Sequence, residues 1–516
     1  MSPTSILPTL RLNLRIEAAS AAIALLLLFP ATGQSQEAVR IAVETRISEL
    51  RFGDAAALLA RLTDAADREY YRSRITLYKI LLTDDPAFLD SFSASCESTI
   101  AALNAAPQTG RIQSMLAEIR LIRGLVRFLN ENYFGAATDF AASCEIASKC
   151  SKDFPASPHP AKVMGIYHLA LSAVPEKWEW LAGLLCFRGN AEEGKGLLSQ
   201  HSMEGSLLPL ESEIVLFFYE KNFISRPDLA LKRVAGLGTK FPKSPLIALL
   251  YASALMEGGN PARAMQWIEN QYPESEDTSV FHTPARELYL ARAQMFSENY
   301  SIAAVSFREF LDSYKGDAYR GDAQYRMGIC LELSGKRQQA AEVFDEIKGS
   351  NAGNTDADEY AAAMSEIYSG RAMTSFEKIL YRSRILSDAG NPSSSNAILF
   401  PLVDSVSRMT EDEKTELYYR FGRNYDKSEN RQLAKFYYLT CAGSSPVINL
   451  WMKNYSHYYL GKIRVLEGEI ESGIRDYKSA LESDGYFYQD GLERMCKSAM
   501  RDAENSSIYP KVKNGP

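Results

Sequence analysis

Histidine and cysteine are the residues best suited to hold a metal or attack a substrate, and their spacing in this 516-residue chain supports neither role. The five histidines are His159, His168, His201, His282 and His457. None forms an HxH or HxxxH pair with a nearby acid, the spacing that turns two imidazoles onto one face. There is no GxSxG elbow and no GxxxxGK[ST] loop. Gly236-Leu-Gly238 is half of a phosphate-binding glycine pattern without its third glycine, and reads as a helix end. The seven cysteines, Cys96, Cys144, Cys150, Cys186, Cys330, Cys441 and Cys496, are odd in number and include no CxxC. They read as small buried hydrophobes rather than a disulfide framework or a zinc site. Cys144 and Cys150, six apart on a helix, point to different faces. No catalytic, cofactor-binding or metal-binding residue is therefore assigned, and no enzyme is expected.

Tyrosine and arginine offer a different chemistry. A large aromatic surface and a forked guanidinium are the side chains that dominate protein interfaces, the fork matching a carboxylate. They recur in four groups: Leu288, Tyr289 and Arg292; Tyr325, Arg326 and Ile329; Tyr419, Arg420 and Arg423; Tyr458, Tyr459 and Lys462. The set Tyr289, Arg292, Tyr325, Arg326, Tyr419, Arg420, Arg423, Tyr458, Tyr459 and Lys462 is the candidate partner-binding groove, fitted to acidic or C-terminal peptide segments. The competing account is ordinary: tyrosine is abundant, at 28 residues, some of these positions pack between adjacent hairpins, and the arginines pair with neighbouring Asp and Glu on a solvated face.

The elements that must position these groups are helical hairpins. Each group surrounds a small residue midway along a helix, followed about twelve residues later by Ala or Gly and four further on by a large side chain. Ala252, Ala264 and Ile268 fit this pattern, as do Ala291, Ala303 and Phe307, with Tyr300 opening the second helix. Gly328, Ala340 and Phe344, then Gly422, Ala434 and Tyr438, then Gly461, Gly473 and Tyr477 repeat it. A weaker copy surrounds Arg384 and Phe400, where the small residue is lost. The first-helix positions 252, 291, 328, 384, 422 and 461 are separated by 39, 37, 56, 38 and 39 residues, a near-constant period with one outlier. The outlier contains the Gly/Asn/Asp-rich stretch 349–358, read as an inserted loop. Pro245, Pro261 and Pro284 mark helix starts. Upstream, 117–148 fits one further copy through Gly124, Tyr133, Ala136 and Phe140, and 38–105 reads as two less regular hairpins. Tyr486–Glu504 reads as an amphipathic helix capping the exposed end of the stack.

These spacings identify a tetratricopeptide-type (TPR) array. The expected fold is all-α, a helical-hairpin solenoid with an irregular N-terminal helical half. The expected divisions are a signal peptide at 1–33, an irregular helical domain at 38–225, the array with its cap at 228–504, and a polar tail at 505–516. An acidic balance, 64 Asp and Glu against 57 Lys and Arg, argues against nucleic acid as the main partner. Arg11 and Arg15 precede the apolar run Ala21–Phe29, which falls short of the roughly 20 residues a membrane helix needs. With Ala31 and Gly33 as small residues before the cut, it reads as an export signal. The expectation is an exported protein, periplasmic or outer-membrane-associated in a Gram-negative bacterium, with a protein or peptide partner. A membrane-anchored assembly or transport adaptor, held by an uncleaved signal, is the alternative. Trp178 and Trp180 read as buried aromatic core, with a ligand-carrier site as the competing assignment.

Between Lys162 and Leu198 the sequence carries Gly165, Leu171-Ser172, Pro175, Phe187, Gly189, Asn190, Gly194 and Leu198 in a characteristic order. This segment resembles the eukaryotic tetratricopeptide-repeat-39 family, which includes an inclusion-body clearance protein. Cys186 and Lys195 depart from the family's usual Gly and Leu. The resemblance implies an all-helical, non-enzymatic protein and does not carry over a location. Read from the residues alone, Phe187–Gly194 is a tight inter-helix turn with Gly189 and Asn190 in left-handed conformations.

Overall fold

The computed structural model describes residues 35–172, 189–202, 206–224, 226–271, 281, 283–348 and 355–508. The segment 1–33 expected to be an export signal, Pro175, Trp178, Trp180, Cys186, Phe187, His282, most of the stretch 349–358 and the end of the tail lie outside the described residues.

What repeats most strictly is a turn. A helix ends, one residue takes a left-handed conformation, and the amide of the next residue bonds back to a carbonyl five positions earlier. Left-handed Leu50, Glu131, Gly259, Glu298, Gly335, Gly390, Glu429 and Gly468 each occupy this place. The closing bonds include Asn132 N to Arg127 O at 2.9 Å, Asn299 N to Gln294 O at 2.9 Å and Asn430 N to Tyr425 O at 2.9 Å. This 6→1 closure satisfies carbonyls that a helix end leaves unpaired, and it reverses the chain into an antiparallel neighbour.

The hairpins so formed are α1 (Gln36–Ser48) with α2 (Phe52–Leu59), and α5 (Gly110–Leu129) with α6 (Tyr133–Asp153). Further on come α11 (Pro245–Glu257) with α12 (Pro261–Gln271), α13 (Ala285–Phe296) with α14 (Tyr300–Ser313), and α15 (Arg320–Leu333) with α16 (Arg337–Lys348). The last three are α18 (Ser375–Asp388) with α19 (Pro392–Val403), α20 (Glu411–Lys427) with α21 (Arg431–Ala442), and α22 (Leu450–Leu466) with α23 (Ile470–Ser479). The elements outside this scheme are α3 (Ala65–Thr83), α4 (Ala87–Ala105), α7 (Pro160–Leu171), α8 (Ala191–His201), α9 (Pro209–Phe218), α10 (Pro227–Lys240), α17 (Asp356–Gly370) and α24 (Gln489–Ile508). No strand occurs among the described residues, and the fold is an all-α helical-hairpin solenoid.

Each hairpin closes on its small residue. A Cβ on Gly124 would lie 2.7 Å from Phe140, on Gly328 2.5 Å from Phe344, on Gly422 2.5 Å from Tyr438 and on Gly461 2.7 Å from Tyr477. All four aromatic partners stand sixteen residues downstream. In these four hairpins the missing side chain makes room for the second helix's ring, and in α13/α14 the small Ala291 takes the same place with Phe307 fully buried.

Several expectations are corrected. The 56-residue spacing is not a loop alone: 356–370 forms α17, an extra helix packed on α15 and α16. In the weak copy the small residue is not lost but displaced by one. Ser383, Ser395 and Leu399 are the fully buried trio, Ser383 Oγ lies 2.7 Å from Ser395 Oγ, and Phe400 is 49% exposed. Neither Gly189 nor Asn190 is left-handed; Asn190, at φ −142°, caps α8, its side chain accepting from the amides of Glu192 and Glu193.

Gly165 and Gly194 of the resembling segment bring α7 and α8 together, each glycine's missing Cβ falling 3.0 Å from the other's carbonyl oxygen. The segment is thus another close helix crossing of the same kind. The helix after the last hairpin begins at Gln489 rather than Tyr486, because Tyr488 is left-handed at φ 65°. It buries Leu492, Cys496 and Ala503. The cysteines also divide: Cys96, Cys150, Cys330, Cys441 and Cys496 are buried free thiols, whereas Cys144 is disulfide-bonded. The odd count concealed that bond.

Candidate functional site

The first helices of successive hairpins converge on an aromatic centre. Tyr360 of α17 has its ring centroid 6.1 Å from that of Tyr325 on α15, 6.3 Å from Trp451 on α22, and 5.4 and 5.8 Å from Phe487 and Tyr488. Tyr488 also faces Arg384, Arg326 and Asp322. The chain's own segment before α24 therefore packs against α15, α17 and α22.

Around that centre the ten sequence-selected residues separate by offset. The tyrosines three before the small residue, Tyr325, Tyr419 and Tyr458, are 2%, 5% and 7% exposed and pack between hairpins. Tyr325 meets Phe344 and Tyr381, Tyr419 meets Tyr438 and Trp451, and Tyr458 meets Tyr477. Two arginines at the next offset are engaged along their own helix. Arg326 Nε is 2.7 Å from Asp322 and Arg420 Nη2 is 2.8 Å from Glu416. Tyr289 and Tyr459 are half-buried.

The position one after the small residue behaves differently. With the register of α18 corrected, it reads Arg292, Ile329, Arg384, Arg423 and Lys462. Arg384 and Arg423 each reach the nearest carboxylate only at 3.9 Å, beyond hydrogen-bonding distance, with side chains 20% and 26% exposed. Arg292 Nε is buried without a partner, and Lys462 is exposed. Arg384 lies 5.7 Å from the Tyr381 ring centroid and Arg423 lies 4.2 Å from that of Tyr459. Asp388 sits among Lys427, Arg384, Arg420 and Arg423; burial opposes its ionisation, but these cations outweigh it and hold the carboxyl below its usual range. Arg384 was not among the sequence-selected residues, because the small position of α18 is Ser383 and Arg384 follows it by one.

The irregular half holds a second concentration of charge that no sequence motif marked. Lys162 Nζ is 2.9 Å from both Glu118 and Glu211, and donates to Leu207 O at 3.0 Å. Arg74 pairs with Glu211, Tyr70 donates to Glu118 at 2.6 Å, and Tyr78 donates to Glu211 at 3.2 Å. Burial opposes ionisation of Glu211, but Arg74 and Lys162 overcome it and hold the carboxyl at about 2. Beside it, a cavity of about 580 Å³ is bounded by Glu44, Tyr71, Arg111, His159 and Glu211. Burial pushes Glu44 up to about 7 despite a 2.6 Å bond from Tyr71 and the Leu208 amide at 3.2 Å. Burial pushes His159 down to about 4 and His201 to about 2, the latter with Ser212 Oγ at 3.0 Å from its Nδ1. Among the described residues no group of three His, Cys, Asp or Glu is placed to hold a metal, and no helix is long and apolar enough to cross a membrane.

No protein-family model matches the chain, and no curated protein matches it. Solved structures similar to it include the APC/C hetero-tetramer Cut9-Hcn1, at 13% identity over 91% of this chain and 96% of that one, with a TM-score of 0.30. The human IFIT1 dimer with PPP-AAAA matches at 13% identity over 87% and 94%, TM-score 0.30. Yeast Tom70 matches at 13% identity over 93% and 98%, TM-score 0.23. Scores this low add nothing to the fold assignment, which rests on the hairpins themselves.

Proposed function

We propose that this chain is an exported, non-enzymatic scaffold that grips carboxylate-bearing peptide segments on the inner face of its helical-hairpin array. The observation that carries the proposal is the pair Arg384 and Arg423, two guanidiniums on successive first helices with no hydrogen-bonded carboxylate of their own. Both side chains are partly open to solvent, and a ligand carboxylate supplies two acceptors in fork geometry to a guanidinium that has no close carboxylate of its own. Arg326 and Arg420, already engaged, shape the wall; Tyr459 provides aromatic area beside Arg423. The disulfide at Cys144 accords with an oxidising cell envelope. The kinship with the tetratricopeptide-repeat-39 family belongs to this proposal too, supported by the close Gly165–Gly194 crossing.

The test is fluorescence polarisation with an end-labelled Glu-rich peptide, comparing the wild type with Arg384→Gln/Arg423→Gln. At least a tenfold loss of affinity with an unchanged melting profile is expected. Equal binding by the double variant overturns the site. For location, a soluble mature chain beginning near Gln34 supports export with cleavage, and an intact chain in the membrane fraction supports the anchored adaptor.

A further inference from the structure

The irregular half contains a second chamber, of about 380 Å³, enclosed by α3, α5, α7, α9 and α11. Its walls are aliphatic, with Leu77, Leu121, Ile122, Ile214 and Val215 among them. Its mouth carries Leu81, 62% exposed, and Phe218, 40% exposed. Apolar surface so placed, leading inward, is the form of a pocket for an apolar molecule.

The floor decides what the molecule's head must be. Arg74, Lys162, Glu118 and Glu211 line this chamber, and none of the four contributes surplus charge: two cations face two carboxylates. A ligand anion or cation would enter with no counter-charge, in a place where an unpaired charge is expensive. Yet the hydrogen bonding of the floor is incomplete. Arg74 is 5% exposed, and its Nε and Nη1 are buried without acceptors. Glu118 is 2% exposed, and its Oε1 is buried without a donor. The other atoms of both residues are engaged, Arg74 Nη2 by Glu211 and Glu118 Oε2 by Tyr70 and Lys162. Donors and an acceptor thus stand ready on neighbouring side chains. An amide meets both demands: its carbonyl accepts from Arg74 while its N–H donates to Glu118 Oε1.

We propose that this chamber binds a neutral, amide-headed aliphatic molecule, its head between Arg74 and Glu118 and its chain along α5 and α9. At roughly 30 Å³ for a water-sized group, the chamber holds about twelve such groups, the size of a medium-chain acyl amide. The site is separate from the peptide-binding face and does not depend on it.

Isothermal titration calorimetry of the full chain with decanamide, and with decanoate at pH 8, tests the proposal. Saturable one-to-one binding of decanamide is expected, with decanoate at least tenfold weaker. Two chamber-filling variants that leave the charged floor intact, Leu121→Trp and Val215→Trp, are each expected to weaken decanamide at least tenfold while peptide binding is retained. If one of them fails to fold, as judged by circular dichroism, the other decides. Absence of saturable decanamide binding, equal or tighter binding of decanoate, or undiminished binding by a folded filled variant overturns the assignment.

Discussion

Gly259 and Gly390, 131 positions apart, meet backbone to backbone. A Cβ on Gly259 would lie 2.5 Å from Gly390 Cα, and one on Gly390 would lie 2.3 Å from Gly259 O. Both are left-handed residues of the same recurrent turn, so the α11/α12 and α18/α19 hairpins abut through their tips. The Arg382–Glu298 ion pair at 3.0 Å ties α18 to the neighbouring α13/α14 turn as well. The α18/α19 hairpin therefore touches the turns of both the α11/α12 and α13/α14 hairpins, which lie far from it in sequence.

Gly390→Ala should destabilise the chain by about 3 kcal/mol or more, combining left-handed strain with a backbone clash that no rotamer relieves. Gly468→Ala is the control. It has the same kind of φ, 88°, but nothing within 4 Å, so only the strain of about 1–2 kcal/mol is expected. Urea unfolding of both variants separates the two contributions; equal costs would refute the tip-to-tip contact.

Glu429 fills the left-handed place of the α20/α21 turn at φ 59°, with an exposed side chain. Glu429→Gly removes the strain and should raise stability by about 0.5–1 kcal/mol, less than the strain itself because glycine loses more entropy on folding. An unchanged or lowered urea midpoint counts against the left-handed assignment.

Much of the fold was legible because hairpin packing writes itself into residue size. Gly328 and Phe344, or Gly422 and Tyr438, must be small and large at a fixed separation, whatever else varies. In α18 the small position is a serine, Ser383, which sequence alone does not set apart from a polar surface residue. The turns carry a second signal, an Asn directly after the left-handed residue: Glu131-Asn132, Gly259-Asn260, Glu298-Asn299, Gly390-Asn391 and Glu429-Asn430. The charged floor of the irregular half was not legible at all. Arg74, Glu118, Lys162 and Glu211 come from four helices, and each alone resembles a solvent-facing charge. Their burial is a product of tertiary packing, which no local period encodes.

Reduction provides a further check. Thiol titration of the denatured chain should rise by two after treatment with dithiothreitol, reflecting the bond at Cys144. The reduced native protein should lose about 2–4 kcal/mol of stability. No rise in titratable thiols would rule the disulfide out.

The cavity carboxyl Glu44 makes stability depend on pH in a direction of its own. Its folded value is raised from 4.5 to about 7, so the folded chain holds a proton that the unfolded chain releases. Its contribution is complete below pH 4.5 and is lost as pH rises through 7, a change of roughly 3 kcal/mol across the window. His159 and His201 act oppositely. Their folded values are lowered from 6.5 to about 4 and about 2, so their contribution is full above pH 6.5 and fades on acidification. The wild-type profile mixes these slopes, and Glu44→Gln isolates one of them. An amide keeps the hydrogen-bonding shape but never ionises. The stability of Glu44→Gln relative to wild type should therefore climb between pH 4.5 and 7 and level off above, as read from urea midpoints at half-unit intervals. A difference that stays flat across that range would place Glu44 in contact with solvent rather than buried beneath Tyr71 and Leu208.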